Sequence, residues 1–186
     1  MVANTSLNLS LDEFLSLQEE RWGELPEYPY EFQHGEFIKL QENLENSEIA
    51  STIMQALVHA GIDHRLIKLS SCQIEVSGGT RRPDLLLLAQ RRKGRSLIRM
   101  DEPTPPLAVE VISPSSATTD REDKLQEYLA RGIPEYWIID PAHQTVTLNV
   151  LQGDRYEATD VTEPDDIIPS TVVPGLSLRV RDLFDD

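Results

Sequence analysis

Apolar and polar positions along the chain predict alternating helices and strands. The residues Ser10-Leu11-Asp12-Glu13 have the form of a capping box and predict a short helix that ends near Glu20. Residues 30–40 alternate around His34-Gly35, which predicts a hairpin that turns at those two residues. From Asn46 the apolar residues recur at helical spacing as far as Gly61, so we expect the first long helix there.

The middle and end of the chain predict further strands and one further helix. Strands are expected at residues 64–69, 71–76, 84–89, 107–112 and 135–140, and the four consecutive leucines at 85–88 indicate a strand covered on both faces. Residues 90–106 are basic and then proline-rich, which is typical of an exposed connection. A helix is expected from Thr119 or Asp120 to Arg131, a hairpin around Gly153, and a last strand and turn at residues 172–184.

This order of elements predicts an α/β fold with a mixed central sheet flanked by helices. A crossover helix would return the chain to the same sheet between residues 107–112 and 135–140. Additional hairpins are expected near both termini. Because 186 residues are enough for one core, we expect a single domain over residues 1–186, with residues 1–9 as a flexible tail.

The charge balance bears on possible partners. The chain has 32 Asp and Glu against 17 Lys and Arg, a formal net charge of −15, so non-specific attraction to phosphate should be weak. A basic nucleic-acid groove would have to come from Arg81-Arg82, Arg91-Arg92-Lys93, Arg95 and Arg99. The single cysteine, Cys72, excludes an intramolecular disulfide, and no signal peptide or membrane span is recognisable, so we expect a cytoplasmic protein without a membrane partner.

Two carboxylates stand out because their surroundings are apolar. Glu110 lies in the sequence LAVEVI, where strand alternation places it on the same face as Ala108 and Ile112. Asp84 directly precedes the four leucines and follows Pro83. Carboxylates are seldom fully buried unless they are paired or bind a metal. On neighbouring central strands they would suit a hard divalent cation, best Mg²⁺, which keeps waters for a substrate phosphate.

Several segments together resemble a known family. The segments RRPDLLLL, LAVEVISPSS, DREDKLQEYLARGIPEYWIIDP and PGLSL look like those of the Uma-two group of restriction endonucleases, a branch of the PD-(D/E)XK nuclease superfamily. The resemblance runs from about residue 10 to residue 184. It implies a restriction-endonuclease-like core, cleavage of nucleic acid, most simply DNA, that depends on Mg²⁺ with Mn²⁺ as a substitute, and a homodimer.

The same resemblance assigns roles to individual residues. Asp84 and Glu110 match the metal-binding catalytic carboxylates, but Ile112 stands where the superfamily pattern has its lysine. The group takes that lysine from the following helix, where Lys124 is the matching residue. Glu45, just ahead of the first long helix, is expected to add a metal ligand, and Glu36 is a weaker candidate.

Each assignment has a structural alternative. Glu110 could be a buried carboxylate paired with an arginine or lysine, Asp84 a turn residue at a strand start, and Lys124 a solvated helix lysine. Tyr128, one turn after Lys124, is expected in the core. The corresponding alternative function is a dimeric binding or regulatory module that keeps the nuclease fold without turnover, which the acidic charge favours.

Overall fold

A computed structural model describes residues 10–20, 29–40, 43–93, 97–112 and 119–184. The expected flexible tail at residues 1–9 lies outside these ranges. In chain order the helices are α1 (Leu11–Glu20), α2 (Leu44–His59) and α3 (Lys124–Arg131). The strands are β1 (Tyr30–Gln33), β2 (Glu36–Lys39), β3 (Ile67–Leu69), β4 (Gln73–Val76), β5 (Gly79–Arg81), β6 (Leu85–Leu87), β7 (Leu97–Ile98), β8 (Leu107–Val111), β9 (Glu135–Asp140), β10 (Thr145–Gln152) and β11 (Arg155–Val161).

A six-stranded mixed sheet forms the centre of the fold, in the order β11-β10-β9-β8-β6-β3. Strands β8 and β9 pair in parallel, and the chain crosses between them through α3, as the element order predicted. The neighbouring pair of β6 and β8 is antiparallel, with Leu85 opposite Val109. The α/β fold with a mixed central sheet is therefore confirmed. The C-terminal hairpin, β10 and β11, extends this sheet rather than standing apart from it.

A second, five-stranded sheet has the order β2-β1-β5-β4-β7. The N-terminal hairpin turns at His34-Gly35, both with positive φ, and β1 then pairs with β5, so this hairpin also belongs to a larger sheet. The close approach explains Gly79, because a Cβ there would lie 2.0 Å from the carbonyl oxygen of Phe32. This second sheet places β1, and Arg81 at the end of β5, on the side of the central sheet that carries α3.

Helix α1 begins with the predicted capping box. The Ser10 hydroxyl oxygen accepts from the Glu13 backbone N–H at 3.2 Å, and Glu13 Oε2 accepts from the Ser10 backbone N–H at 2.8 Å. Hydrogen bonding to Ser10 lowers the pKa of Glu13. Phe14 stacks on Phe32 with 4.2 Å between ring centroids, so the helix covers the N-terminal hairpin.

The two faces of the central sheet have separate apolar cores. On one face α2 and the C-terminal segment pack through residues such as Ile53, Leu57 and Val180. On the other face Tyr128 of α3 and Ile74 of β4 pack against Ala108 of β8 and Ile112, which directly follows β8. Glu110 alternates with Ala108 and Ile112, so its side chain points into the layer that contains α3.

Three predicted elements are wrong in detail. Residues 90–106 contain the buried strand β7, which pairs in parallel with β4, rather than only an exposed connection. Residues 172–184 form no strand; Arg179 makes an isolated bridge to Ile167, followed by a 3-10 turn at Arg181–Leu183. The segment 64–69 starts as a 3-10 turn before β3.

Glu135 is a buried carboxylate whose role is structural. Its Oε1 accepts from Trp137 Nε1 at 2.6 Å, and its Oε2 accepts from the backbone N–H and the hydroxyl of Thr171 at 2.8 and 2.7 Å. These donors satisfy the charge locally, so Glu135 joins the C-terminal segment to β9.

Within the described residues, no helix has the length and apolar character needed to cross a membrane.

Candidate metal and catalytic site

Glu110 is the centre of a buried polar cluster beneath α3. Only 3% of the residue is exposed. Its Oε1 accepts from the Tyr128 hydroxyl at 2.7 Å, and its Oε2 lies 2.9 Å from Lys124 Nζ. Lys124 and Tyr128 are one turn apart on α3, which brings both to the same carboxylate. The structure therefore brings Glu110 and Lys124 together, although 14 positions separate them in the sequence.

Tyr128 is more than a core residue. Burial raises the pKa of Tyr128 well above its usual value, and the neighbouring Glu110 charge raises it further. The phenol consequently stays protonated at neutral pH and serves as a donor that fixes the Glu110 carboxylate. The sequence places Tyr128 one turn after Lys124, but it does not predict the hydrogen bond from Tyr128 to Glu110.

Asp84 directly precedes β6, the strand that pairs with β8. Continuing the pairing of Leu85 with Val109 by one residue places Asp84 opposite Glu110. Its Oδ2 accepts from the backbone N–H of Val111 at 2.7 Å. Asp84 precedes the first residue of β6, so its side chain takes the place of the backbone hydrogen bond that a longer strand would make to β8. Asp84 is thereby held at the end of β8.

Asn46, in the first turn of α2, completes this end of β8 and was missed by the sequence analysis. Its Nδ2 donates to the carbonyl oxygen of Val111 at 2.7 Å. That contact fixes the amide orientation, because two acceptor oxygens would repel one another. Its Oδ1 is buried and has no hydrogen-bond donor within the part of the chain that the structure describes. A buried oxygen without a donor suits a cation or a water.

Glu45, the predicted third metal ligand, is placed differently. It is exposed, and its backbone N–H donates to the Asn43 side chain at 3.1 Å as part of the α2 cap. Within residues 10–20, 29–40, 43–93, 97–112 and 119–184, no three His, Cys, Asp or Glu side chains converge as a metal site. Asp84, Glu110 and Glu45 therefore do not form a three-carboxylate cage. Glu36, the weaker candidate, is also exposed, on β2.

A second carboxylate approaches Lys124 from the N-terminal hairpin. Glu31 is 3% exposed, and its Oε1 lies 3.8 Å from Lys124 Nζ. Its Oε2 accepts from Arg81 Nη1 at 2.9 Å, while Arg81 also binds both oxygens of Glu127 at 2.6 and 2.9 Å. Burial alone would lower the pKa of Arg81, but the hydrogen bonds and charges of Glu127 and Glu31 raise it above its usual value.

The cluster around Lys124 combines carboxylates with cationic side chains. Lys124 Nζ lies 2.9 Å from Glu110 and 3.8 Å from Glu31, and Arg81 binds Glu31 and Glu127. Carboxylate and amide oxygens such as those of Asp84, Glu110 and Asn46 are hard ligands, as Mg²⁺ and Mn²⁺ require.

The arginines expected to form a basic groove are mostly paired with acids. Arg81 is buried in the cluster, Arg91 pairs with Asp63, Arg92 with Glu102 at 2.6 Å, and Arg99 with Glu75 at 3.1 Å. Arg95 lies outside the described residues. These contacts bury Arg81 and reduce the positive charge that Arg91, Arg92 and Arg99 could offer to phosphate.

Comparison with known proteins places this geometry in a recognised fold. A crystal structure of a putative nuclease belonging to DUF820 from Anabaena variabilis ATCC 29413 superposes with a TM-score of 0.72. The two sequences are 23% identical, and the match covers 95% of this chain and 97% of the other. At that identity the likeness establishes the fold. No curated protein matches the chain significantly.

The sequence itself matches a family model over nearly its full length. Residues 11–181 match Uma2, described as a putative restriction endonuclease family. The matched range includes Asp84, Glu110 and Lys124 as well as both sheets. The chain therefore belongs to the Uma2 family of putative restriction endonucleases.

Proposed function

We propose that this protein is a metal-dependent endonuclease that hydrolyses phosphodiester bonds in DNA, with Asp84, Glu110 and Lys124 as its catalytic residues. The observation that carries the proposal is the buried contact between Lys124 and Glu110, with the Asp84 carboxylate held one residue further along β8. Lys124 Nζ is 2.9 Å from Glu110 Oε2, and Asp84 binds the backbone of the next residue, Val111, at 2.7 Å. Family membership supports the same activity.

The residues present fit a divalent cation. Asp84 and Glu110 would hold it, and the buried Oδ1 of Asn46 would add the oxygen ligand that we expected from Glu45. When bound, a hard divalent cation such as Mg²⁺ acidifies a coordinated water and stabilises negative charge on phosphate. Tyr128 keeps Glu110 in place through its 2.7 Å hydrogen bond.

Lys124 supplies the positive charge that the strand position, occupied by Ile112, lacks. Its ammonium is held inside the site at 9% side-chain exposure, where charge interactions are stronger than in water. In the proposed reaction the ammonium donates a hydrogen bond to a non-bridging phosphate oxygen. Water attacks phosphorus and releases a proton to solvent, the P–O bond to the leaving oxygen breaks, and that oxygen takes a proton from solvent.

A non-catalytic binding or regulatory module remains the competing proposal, and one observation favours it. Lys124 already neutralises Glu110, as a side-chain cation does in a vestigial metal site. The formal charge of −15 points the same way. The proposals differ in whether a metal ion can displace the ammonium from Glu110.

Cleavage assays separate the two proposals. We expect the purified protein to convert supercoiled plasmid to nicked or linear DNA with Mg²⁺ or Mn²⁺ and to leave it intact with EDTA. Single-stranded DNA and RNA in parallel reactions identify the preferred substrate. Intact plasmid and genomic DNA at every metal concentration, together with no metal-induced rise in the melting temperature, would instead support the non-catalytic module.

As further parts of this proposal, residues 1–186 form one domain and the active form is a homodimer, as the resemblance implies. Sedimentation velocity at several protein concentrations measures the second point. A monomer at all concentrations would contradict it.

A further inference from the structure

Glu31 is a buried carboxylate that the proposed reaction does not use. It lies on β1, far in sequence from the catalytic residues, yet its side chain is only 4% exposed. Its Oε1 accepts from the backbone N–H of Arg82 at 2.9 Å and lies 3.8 Å from Lys124 Nζ. A carboxylate removed from water at this cost is held by specific partners.

Arg81 fixes the orientation of this carboxylate relative to α3. Its guanidinium donates to Glu31 from one side and binds Glu127 with two hydrogen bonds from the other. Glu127 lies three residues after Lys124 on α3, on the neighbouring turn. The clamp of Glu31, Arg81 and Glu127 therefore sets the distance between β1 and the start of α3, where Lys124 lies.

Lys124 consequently lies between two carboxylates at unequal distances. Its ammonium is 2.9 Å from Glu110 Oε2 and 3.8 Å from Glu31 Oε1. A divalent cation that binds Glu110 repels the ammonium, because both are positive and compete for the same oxygens. A rotation of the flexible lysine side chain toward Glu31 relieves that repulsion without exposing the charge to solvent.

We propose that Glu31 is a positioning residue that receives the Lys124 ammonium when a divalent cation binds Glu110. This inference rests on the proposed function, since it requires a cation at Glu110. Glu31 then lowers the cost of displacing Lys124 and keeps its charge inside the site for the substrate phosphate. In the metal-free protein the Lys124 ammonium contacts Glu110 and lies near Glu31, which is its position before the metal binds.

A double-mutant cycle on metal affinity tests the inference without relying on activity. Mn²⁺ binding is measured by isothermal titration calorimetry for the parent protein, Glu31→Gln, Lys124→Gln and the double variant. We expect Glu31→Gln to weaken Mn²⁺ binding about tenfold when Lys124 is present and by about twofold or less when residue 124 is glutamine. Equal weakening in both backgrounds would overturn the inference, because Glu31 would then act through its own charge on the metal.

Glu127→Gln is the matched control for the clamp. Like Glu31→Gln it removes one negative charge that faces Arg81, but it leaves the carboxylate beside Lys124 in place. We expect it to lower the melting temperature to a similar extent while changing Mn²⁺ affinity about twofold or less. If both variants weaken Mn²⁺ binding equally, Glu31 only supports the fold and the inference is wrong.

Three further outcomes are informative. If circular dichroism shows that Glu31→Gln does not fold, Glu31→Asp replaces it, because aspartate withdraws the carboxylate by one methylene. We expect Glu31→Asp to weaken Mn²⁺ binding when Lys124 is present but not in the Lys124→Gln background. Weakening in both backgrounds would overturn the inference. Absence of Mn²⁺ binding by the parent protein would overturn the proposed function itself. Additive effects in a parent that does bind Mn²⁺ would overturn only the role of Glu31.

Discussion

Replacement of Glu110 by glutamine is expected to lower the rate of DNA cleavage by about 10³-fold, or ~4 kcal/mol of transition-state stabilisation. The amide keeps the size of the side chain and can still accept from the Tyr128 hydroxyl, which lies 2.7 Å from Oε1 in the parent protein. It loses the negative charge that a divalent cation needs. Rates measured with saturating Mg²⁺, together with Mn²⁺ calorimetry, should show the loss of both cleavage and metal affinity.

Glu122→Gln is a suitable control, because Glu122 is exposed just ahead of α3 and the exchange changes net charge equally. It should leave cleavage within about twofold of the parent rate. Unchanged cleavage by Glu110→Gln would remove Glu110 from the mechanism. If Glu110→Gln is unfolded without metal, as measured by circular dichroism, the ion pair between Glu110 and Lys124 is structural instead.

Lys124→Met is the second variant with a large expected effect. The exchange preserves the unbranched side chain but removes an ammonium that is almost fully buried against Glu110. We expect cleavage to fall by about 10²- to 10³-fold, because charge on the phosphate is then no longer offset by this group. We expect Mn²⁺ to bind severalfold more tightly, because its competitor at Glu110 is absent.

Opposite changes in cleavage and metal affinity distinguish catalysis from structural support. Lys39→Met serves as a control for charge, since Lys39 is exposed on β2. Cleavage by Lys124→Met at the parent rate would exclude Lys124 from the reaction, and Ile112 would then mark an inactive enzyme. Weaker Mn²⁺ binding would contradict competition between the ammonium and the metal.

The sequence predicted the parts of the fold that local patterns determine. The capping box of α1, the hairpin turn at His34-Gly35 and the parallel pair connected through α3 all follow from short-range signals. Glu110 was identifiable because a charge in a continuous apolar strand is costly. The contact between Glu110 and Lys124 was predictable only from the family resemblance and from the position of α3.

What the sequence did not predict depends on contacts between distant segments. Strand β7 has two residues and is defined by its pairing with β4, which no local periodicity encodes. No local pattern distinguished Glu31 from other polar residues, because its partners Arg81 and Lys124 come from other elements. Glu45 was expected as a ligand from the family resemblance, and only the packing of α2 on β8 distinguishes Asn46 from it.

Manganese in a crystal is the most direct test of the central claim, that Asp84 and Glu110 form a working metal site. After a Mn²⁺ soak, the account predicts one anomalous peak within about 2.0–2.3 Å of oxygens from Asp84, Glu110 and Asn46, with the Lys124 ammonium displaced toward Glu31. No anomalous peak at saturating Mn²⁺, with Lys124 Nζ still 2.9 Å from Glu110 Oε2, would contradict it.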